Sequence, residues 1–322
     1  MSQDPVVFDV APGITAIDTF MGGRERYTAA YLIHGRRPTL IETGPTTSVE
    51  PVTRALAALG IGADELANIV LTHIHLDHAG GVGRLAARFP DATVHVHDRG
   101  ARHLIDPTRL VASATRVYGA DRMASLFGPV EPVPEERVRA LSDDDTIDVG
   151  GRTLEVIDTP GHASHHVAIV DASSGVVFTG DALGIHVPDL PVLRPATPPP
   201  DFDLELAVRS INAIRSRRPT ALLFAHFGPI READRTCELA ERRLRDWCAA
   251  VGAALEETDD LDRIVELLRD RVAGEVVTGA DAQLDLDRLE TLSSIRMNAT
   301  GIVRYLTRSG GPADAAATPQ PS

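Results

Sequence analysis

The chain has 322 residues, of which 43% are hydrophobic, so it can bury a substantial core and form one main domain with an appended subdomain. Its formal net charge of −14 argues against nucleic-acid binding, because a groove that follows phosphates needs a basic face. The amino terminus lacks the basic and apolar regions of a signal peptide, and no apolar run approaches the roughly 18 residues of a membrane span. We therefore expect a cytoplasmic protein with no nucleic-acid and no membrane partner.

Apolar runs and turn residues predict strands that alternate with helices along the chain. The predicted strands lie at residues 13–20, 27–34, 39–42, 67–72, 93–97, 153–157, 167–170, 175–178 and 221–224. The predicted helices lie at residues 48–59, 83–89, 202–215, 231–255, 260–272 and 293–306. This mixture predicts an α/β fold, specifically a four-layer αββα sandwich followed by a helical subdomain.

Four metal-binding side chains lie within six residues directly after the predicted strand at 67–72. They are His73, His75, Asp77 and His78, and two glycines then end the motif in a turn. Imidazole and carboxylate ligands suit Zn²⁺ or Fe²⁺, and without a nearby cysteine a closed structural zinc site is disfavoured. Unpaired His and Asp side chains beside a buried strand would be costly. The motif therefore predicts the floor of an open catalytic metal site rather than a polar turn.

This string resembles the HxHxDH signature of the metallo-β-lactamase superfamily, and three later segments follow the family pattern in order. They are the TPGH, FTGD and AHFGP segments at residues 159–162, 178–181 and 225–229. The resemblance covers residues 13–229 and implies the αββα metallo-β-lactamase sandwich. One departure is Glu42, which stands where many members have the aspartate of a DTG turn and is one methylene longer.

The resemblance also implies a dinuclear metal site. The implied ligands are His73, His75 and His162 for one ion, Asp77, His78 and His226 for the second, and Asp181 as the bridge between them. Asp77 and Asp181 are also the residues expected to take part in catalysis. Five neutral imidazoles and two carboxylates leave two divalent cations with a net charge of roughly +2, which can polarise a carbonyl oxygen and lower the pKa of bound water to about 7. We expect two divalent transition-metal ions per chain, with Zn favoured over Fe or Mn.

The reaction expected from this site is attack of a metal-bridging hydroxide on the acyl carbon of a small ester, thioester or lactone. The leaving group would take its proton from water or from Asp77. The motif at residues 72–81 looks closer to glyoxalase-II-like thioesterases and quorum-sensing lactonases than to antibiotic-degrading enzymes. Two alternatives stay open: a phosphodiesterase, and a regulatory or binding protein that keeps the metal site but acts through its helical carboxyl terminus.

The pattern along the chain predicts three regions. They are a catalytic domain at residues 1–230 with a helical insertion at about 98–140, a helical subdomain at 231–308 and a disordered tail at 309–322. An apolar stripe predicts that the helical subdomain packs as a pocket lid or a homodimer contact. The stripe consists of Leu261, Ile264, Val265 and Leu268. Cys237 and Cys248 lie about 16 Å apart on one predicted helix, too far for a disulfide.

Two apolar segments are expected to form the pocket wall, namely the insertion around 118–127 and the proline-rich stretch at 187–200. Six prolines argue against regular structure in the second segment. Arg194 is its one cation, enough for one substrate carboxylate, and neither segment has an arginine cluster for phosphate. We therefore expect an acyl substrate that is neutral or carries one negative charge. Tyr118 and Phe127 are expected to belong to the core rather than to the pocket.

The remaining polar candidates are assigned from their positions beside the motifs. His166 is either a contact to a ligand residue or substrate, or a structural residue, and the sequence leaves both readings open. Asp158 is expected to orient a ligand histidine. His95 and His97 are expected to be structural or exposed.

Overall fold

A computed structural model of the chain describes residues 4–187, 192–273 and 282–308. It shows two β-sheets packed face to face, with helices covering both outer faces. The predicted α/β class and four-layer αββα sandwich with a helical carboxyl-terminal region are therefore confirmed. The predicted disordered tail at 309–322 lies outside the described residues.

The larger sheet has seven strands that are neighbours in chain order. They are β1 (Val7–Ala11), β2 (Ile14–Asp18), β3 (Ala29–Ile33), β4 (Thr39–Ile41), β5 (Asn68–Val70), β6 (Thr93–His97) and β7 (Val138–Leu141). The first four pair antiparallel, whereas β4 to β7 pair parallel. Parallel neighbours need a crossover segment between them, and helices supply it here.

The smaller sheet is formed by five later strands, and a separate two-stranded hairpin lies between the last two of them along the chain. The strands are β8 (Thr146–Asp148), β9 (Thr153–Asp158), β10 (Val167–Asp171), β11 (Val176–Gly180), the hairpin strands β12 (Ile185–His186) and β13 (Leu193–Arg194), and β14 (Ala221–Phe224). The sheet order is β14-β11-β10-β9-β8. Both β9 and β11 run antiparallel to β10, and β14 is parallel to β11. The carboxyl ends of β9, β11 and β14 therefore meet at one edge of the sheet.

Helices connect the strands and cover the two outer faces. In the described ranges they are α1 (Val49–Ala58), α2 (Leu76–Ala79), α3 (Val82–Arg88), α4 (Asp98–Ile105), α5 (Thr108–Tyr118), α6 (Ala120–Arg122), α7 (Leu204–Ser216), α8 (Ala233–Glu257), α9 (Leu261–Val272), α10 (Ala282–Leu292) and α11 (Ile295–Arg308). None of these helices is long and apolar enough to cross a lipid bilayer.

Three apolar interfaces hold the four layers together. On β3, Ala30 and Leu32 belong to the cluster that includes α1 and α3, whereas Tyr31 and Ile33 belong to the cluster between the two sheets. This division follows from the period of two along a strand. Every residue of β3 is buried because both faces of the sheet are covered.

The carboxyl-terminal helices share one apolar core with the smaller sheet. This core contains Phe224 of β14, Trp247 of α8, Leu268 of α9 and Ile302 of α11, none of them more than 1% exposed. Complete burial of a large apolar side chain contributes about 1.5–3 kcal/mol, so loss of these helices would expose a substantial apolar surface. The predicted apolar stripe of α9 packs into the same core.

The structure departs from the predicted elements in a few places. The sequence predicts neither the short strands β1, β7 and β8 nor helix α10. Strand β7 begins inside the stretch predicted as a helical insertion; its residues Val138 and Leu141 are buried, and the strand pairs with β6. The prediction of no regular structure in the proline-rich stretch was wrong, because Leu193–Arg194 pairs with Ile185–His186. Neither residue of β13 is a proline, so both keep the backbone N–H that pairing requires.

Candidate metal centre

The predicted ligands come from segments that follow the carboxyl ends of strands. His73 follows β5, His162 follows β9, Asp181 follows β11 directly, and His226 follows β14. Since β9, β11 and β14 point the same way, their following residues meet at one edge of the sandwich. Strand β5 of the facing sheet brings the HxHxDH segment to the same edge, where six of the predicted ligands form two groups.

His73, His75 and His162 form the first group. His75 Nδ1 lies 3.0 Å from His73 Nε2 and 2.9 Å from His162 Nε2. Two nitrogens that bind one tetrahedral zinc ion are separated by roughly 3.3 Å, so these three nitrogens are spaced for a single ion. Burial, aided by neighbouring imidazoles, lowers the pKa of His73 well below its usual value and that of His75 to about 3. Both rings are therefore neutral at physiological pH, which is the form that binds a metal.

Asp77, His78 and His226 form the second group, and Asp181 lies between the two groups. The carboxylate of Asp77 is 3.5 Å from His78 Nε2 and 3.6 Å from His226 Nε2. Asp181 Oδ1 is likewise 3.5 Å from His78 Nε2 and 3.6 Å from His226 Nε2. The other oxygen of Asp181, Oδ2, is 3.5 Å from His162 Nε2 in the first group. Asp181 thus faces both groups through different oxygens, as a bridging ligand would.

Several buried polar atoms of this cluster lack a hydrogen-bond partner. Within the described residues they include Nε2 of His78, Nε2 of His226 and Oδ1 of Asp181. Leaving such atoms unpaired costs about 1–3 kcal/mol each, whereas a metal ion would satisfy them. Burial alone would lower the pKa of His78, but the carboxylates of Asp181 and Asp77 outweigh it and raise that pKa well above its usual value. The cluster favours positive charge, and the residues present fit divalent cations.

Backbone carbonyl groups fix the orientation of two of the histidines. His162 Nδ1 donates to the carbonyl of Ala196 at 2.9 Å, and His226 Nδ1 donates to the carbonyl of Tyr27 at 2.9 Å. A hydrogen bond from one ring nitrogen leaves the other as the electron-pair donor for a metal. In both rings Nε2 is therefore the atom that faces the cluster.

Glu42 contacts the cluster despite its extra methylene. Its Oε1 accepts a hydrogen bond from Thr72 and lies 3.6 Å from His78 Nδ1. Its φ of 65° lies in the left-handed region, which is uncommon for residues other than glycine. Together with His73 and His78, it also forms a third group of potential ligand atoms within 4.8 Å of one another. The longer side chain is thus accommodated next to a predicted ligand.

His166 holds the backbone of Asp181 in place. Its Nε2 accepts a hydrogen bond from the Asp181 N–H at 3.0 Å, so its Nδ1 carries the proton and donates to Thr159 Oγ1 at 2.7 Å. A Cβ atom on Gly180 would lie only 2.5 Å from that Nε2, so glycine is required at this approach. Of the two readings that the sequence left open for His166, the structure favours contact with a predicted ligand residue.

Three other polar candidates lie away from the ligand cluster. His95 Nε2 is 3.0 Å from Asn68 Oδ1, which is a structural contact between neighbouring strands. Asp158 Oδ1 is 3.5 Å from His97 Nε2. The prediction that Asp158 orients a ligand histidine was therefore wrong, because its side chain points toward the end of β6 instead.

Arg194 supports the site and does not face a substrate. Its side chain is 2% exposed, and Nη1 donates to Glu290 at 2.8 Å and to the carbonyl of Ser293 at 3.0 Å. The sequence interpretation of Arg194 as a cation for a substrate carboxylate was wrong. The hairpin of β12 and β13 turns this residue inward, against the end of α10.

A cavity of about 570 Å³ opens beside the ligand cluster. One side of the cavity is lined by the predicted metal ligands His75, Asp77, His162 and Asp181. Another side is lined by residues at the α10–α11 junction. The prolines at 198–200 contribute as predicted. The carboxyl-terminal helices are therefore part of the pocket itself.

The insertion supplies the remaining wall, and this wall is not apolar. Phe127 is buried as expected, and Tyr118 packs against the same apolar cluster as expected but also lines the cavity. Four arginines also line the cavity, and we call them the arginine wall: Arg99, Arg102, Arg109 and Arg122. The expectation of an apolar pocket wall was therefore wrong, because three of these arginines lie outside the 118–127 segment on which it was based. One available signal was the spacing of Arg99 and Arg102, which places both on one face of a helix.

Comparison with known proteins agrees with this geometry. A family model described as the metallo-beta-lactamase superfamily matches residues 23–226, which is more than half of the chain. The chain belongs to the metallo-beta-lactamase superfamily. Metallo-beta-lactamase fold-containing protein ST1585 of Sulfurisphaera tokodaii is 31% identical over 169 residues, which are 51% of this chain and 62% of that protein. Hydroxyacylglutathione hydrolase of Aeromonas hydrophila is 34% identical over 135 residues, 42% of this chain and 39% of that enzyme. The chain thus spans about half the length of these curated relatives.

Solved structures of the superfamily have the same fold. The crystal structure of the archaeal superfamily protein ST1585 from Sulfolobus tokodaii gives a TM-score of 0.66 at 23% identity, covering 90% of this chain and 98% of that one. The structure of the superfamily protein TTHA1429 from Thermus thermophilus gives a TM-score of 0.64 at 21% identity, covering 95% of this chain and 93% of that one. Both matches extend beyond the sandwich into the carboxyl-terminal helices.

Proposed function

We propose that this metallo-beta-lactamase superfamily protein is a dinuclear metal-dependent hydrolase of small ester, thioester or lactone-type acyl substrates. The observation that carries the proposal is the position of Asp181, whose two carboxylate oxygens face two separate groups of ligand side chains. The imidazole-rich set favours zinc, although iron and manganese also bind such ligands. The thiols of Cys237 and Cys248 are free, which suits the reducing cytoplasm.

Two bound divalent ions would polarise the acyl carbonyl and supply a hydroxide nucleophile at neutral pH. The chain's own residues set the geometry for that chemistry. His166 fixes the backbone of Asp181, so that the carboxylate keeps its orientation between the two groups. Asp77 is more exposed than Asp181, with 20% of its side chain accessible against 6%, and it lines the cavity. Asp77 is therefore the carboxylate placed to relay a proton to the leaving group.

The choice of an acyl substrate is supported by a relative and by the shape of the pocket. The similar Aeromonas enzyme is named for hydrolysis of hydroxyacylglutathione, which carries an acyl group. The cavity of about 570 Å³ suits a small molecule rather than a polymer. The regulatory alternative loses support because the carboxyl-terminal helices line this cavity instead of standing apart from it.

Metal content and turnover together test the proposal. The purified protein should contain close to two transition-metal ions per chain by elemental analysis. It should hydrolyse members of an ester, thioester and lactone panel in preference to phosphodiesters. Asp181→Ala should reduce kcat/KM far more than the matched strand variant His95→Ala, since His95 lies away from the ligand cluster and its Nε2 is 3.0 Å from Asn68 Oδ1. Binding of one ion at most, full activity of Asp181→Ala, or preference for a phosphodiester would contradict the proposal.

A further inference from the structure

The arginine wall and the ligand cluster line the same cavity. Arg99 and Arg102 lie on α4, Arg109 on α5 and Arg122 at the end of α6. All four side chains belong to exposed residues, although the cavity itself reaches the predicted metal ligands. A molecule whose reacting group lies at the metals can therefore extend to these guanidinium groups.

The four guanidinium groups have no carboxylate partner within 4.0 Å among the residues that the structure describes. Arg99 donates to the carbonyl of Ser164 at 3.3 Å, and Arg102 donates to His103 Nε2 at 3.2 Å. Some arginines elsewhere on the surface do have acidic partners, as Arg215 does with Asp234 and Glu238. The four arginines of the wall differ from other arginines in lining one cavity together with the predicted metal ligands. This placement points to a ligand that supplies negative charge.

Carboxylates near the wall are already engaged by other groups. Asp98 pairs with His97 at 2.8 Å, and Asp201 accepts hydrogen bonds from the backbone and hydroxyl of Ser164. Glu290, which also lines the cavity, pairs with Arg194. Among the described residues, none of these three carboxylates lies within 4.0 Å of a guanidinium group of the arginine wall.

Two of the four arginines, Arg102 and Arg109, act on a common neighbour in the cavity wall. Besides burial, both Arg102 and Arg109 lower the pKa of His103, although they lie on different helices. Two guanidinium groups near one point can bind the oxygens of a carboxylate or phosphate through paired N–H donors. A single exposed arginine would offer only weak screened attraction.

We propose that the arginine wall binds an anionic part of the substrate, bearing carboxylate or phosphate oxygens, while the acyl carbon lies at the ligand cluster. This proposal rests on the proposed acyl hydrolysis and names the substrate class more closely. It replaces the sequence-based expectation of a neutral or singly charged substrate, whose premise was an apolar wall. The preferred substrate is an acyl compound with two or more negative charges on the part remote from the reacting carbon.

Acetyl thioesters that differ only in the thiol part provide the test with the metal-loaded protein. The thiols are 2-mercaptoethanol, mercaptosuccinate and 2-mercaptoethyl phosphate, which are neutral, dicarboxylate and phosphate-bearing. We expect kcat/KM for at least one anionic thioester to exceed that for the neutral one by roughly tenfold or more. If the mercaptosuccinate thioester has the higher kcat/KM, carboxylate is the preferred group, and if the mercaptoethyl phosphate thioester does, phosphate is. Added salt should reduce the ratio of anionic to neutral kcat/KM.

The double variant Arg102→Ala/Arg109→Ala should remove this preference and bring the ratio of anionic to neutral kcat/KM close to one. Arg116→Ala is the matched control, because Arg116 lies on α5 but does not line the cavity. The control should keep the wild-type ratio. A wild-type ratio near one, or a ratio that survives in the double variant, would overturn the proposal.

A binding measurement separates this proposal from the proposed function. Calorimetry with succinate and with inorganic phosphate should show binding to the metal-loaded wild type that weakens by roughly tenfold in the double variant but not in Arg116→Ala. If no thioester of any charge is hydrolysed, the acyl-hydrolase proposal fails, and a loss of anion binding in the double variant still supports the arginine wall. Equal binding by the wild type and the double variant would reject the wall whatever the turnover.

Discussion

Asn298 of α11 connects the carboxyl-terminal helices to a ligand histidine. Its side chain is 2% exposed, and its Oδ1 accepts from the N–H of Thr197 at 2.7 Å and from the Thr197 hydroxyl at 2.9 Å. Its Nδ2 donates to Ser293 Oγ at 2.8 Å. The neighbouring carbonyl of Ala196 is the group that orients His162. Asn298→Ala should therefore disturb a predicted metal ligand that it does not touch.

The size of the effect follows from the bonds that are lost. Three hydrogen bonds disappear, each worth about 1 kcal/mol net, and the buried N–H of Thr197 loses its partner at a further cost of about 1–3 kcal/mol. The free energy of unfolding of the metal-free protein should fall by about 4–6 kcal/mol. Loss of the outer contact that orients a ligand histidine should weaken metal binding by roughly 10–100-fold.

Ile302→Ala provides the control for general destabilisation. Ile302 lies on the same helix and is fully buried in the apolar core, and its truncation should cost about 2–5 kcal/mol. Its side chain has no polar atom that could hold the 195–197 segment. Denaturant unfolding of the metal-free proteins would measure stability, and chelator competition would measure metal affinity. The expected result is a similar loss of stability in both variants but weaker metal binding only in Asn298→Ala. Equal metal affinity in the two variants would refute the link between α11 and His162.

Three further outcomes are expected. Glu42→Gln should weaken binding of the second metal ion more than binding of the first, because Glu42 Oε1 lies 3.6 Å from His78 Nδ1. Elemental analysis at limiting metal would measure this, and equal loss of both ions would contradict it. Burial raises the pKa of Cys237 to about 11 and that of Cys248 to about 12, so neither thiol should react with a disulfide reagent at pH 8 until the protein unfolds. A chain that ends after Glu257 should lose activity and solubility, because α9 and α11 cover the apolar core and residues at the α10–α11 junction line the cavity. A truncated protein that is a stable and active monomer would contradict this prediction.

The sandwich and the ligand cluster were predictable because their signals are local. An apolar strand followed by a dense run of His and Asp marks a site regardless of what packs around it, and the later motifs repeat that arrangement at other strand ends. The fully buried strands also gave clear apolar runs. The short edge strand β7 gave no such signal, because only Val138 and Leu141 of its four residues are buried.

The errors concern contacts between residues far apart in the chain. Arg194 has its acidic partner 96 residues away, on a helix that the sequence did not predict, so nothing near Arg194 indicated that it was engaged. The arginine wall is the opposite case. Whether Arg102 and Arg109 lack acidic partners depends on where α4 and α5 pack, and this cannot be read from their immediate neighbours. The sequence predicted that Tyr118 packs in the core, but its second contact, with the cavity, also depends on this long-range packing.

The arginines of the wall lie in the connection between two adjacent parallel strands, β6 and β7. The ligand cluster draws on none of the residues in that connection, and the strands on both sides of it pair with each other directly. Natural variation in this stretch can therefore alter the substrate that is recognised while leaving the reaction unchanged. Exchange of the connection between superfamily members offers a route to engineer new specificity on the same metal-binding scaffold.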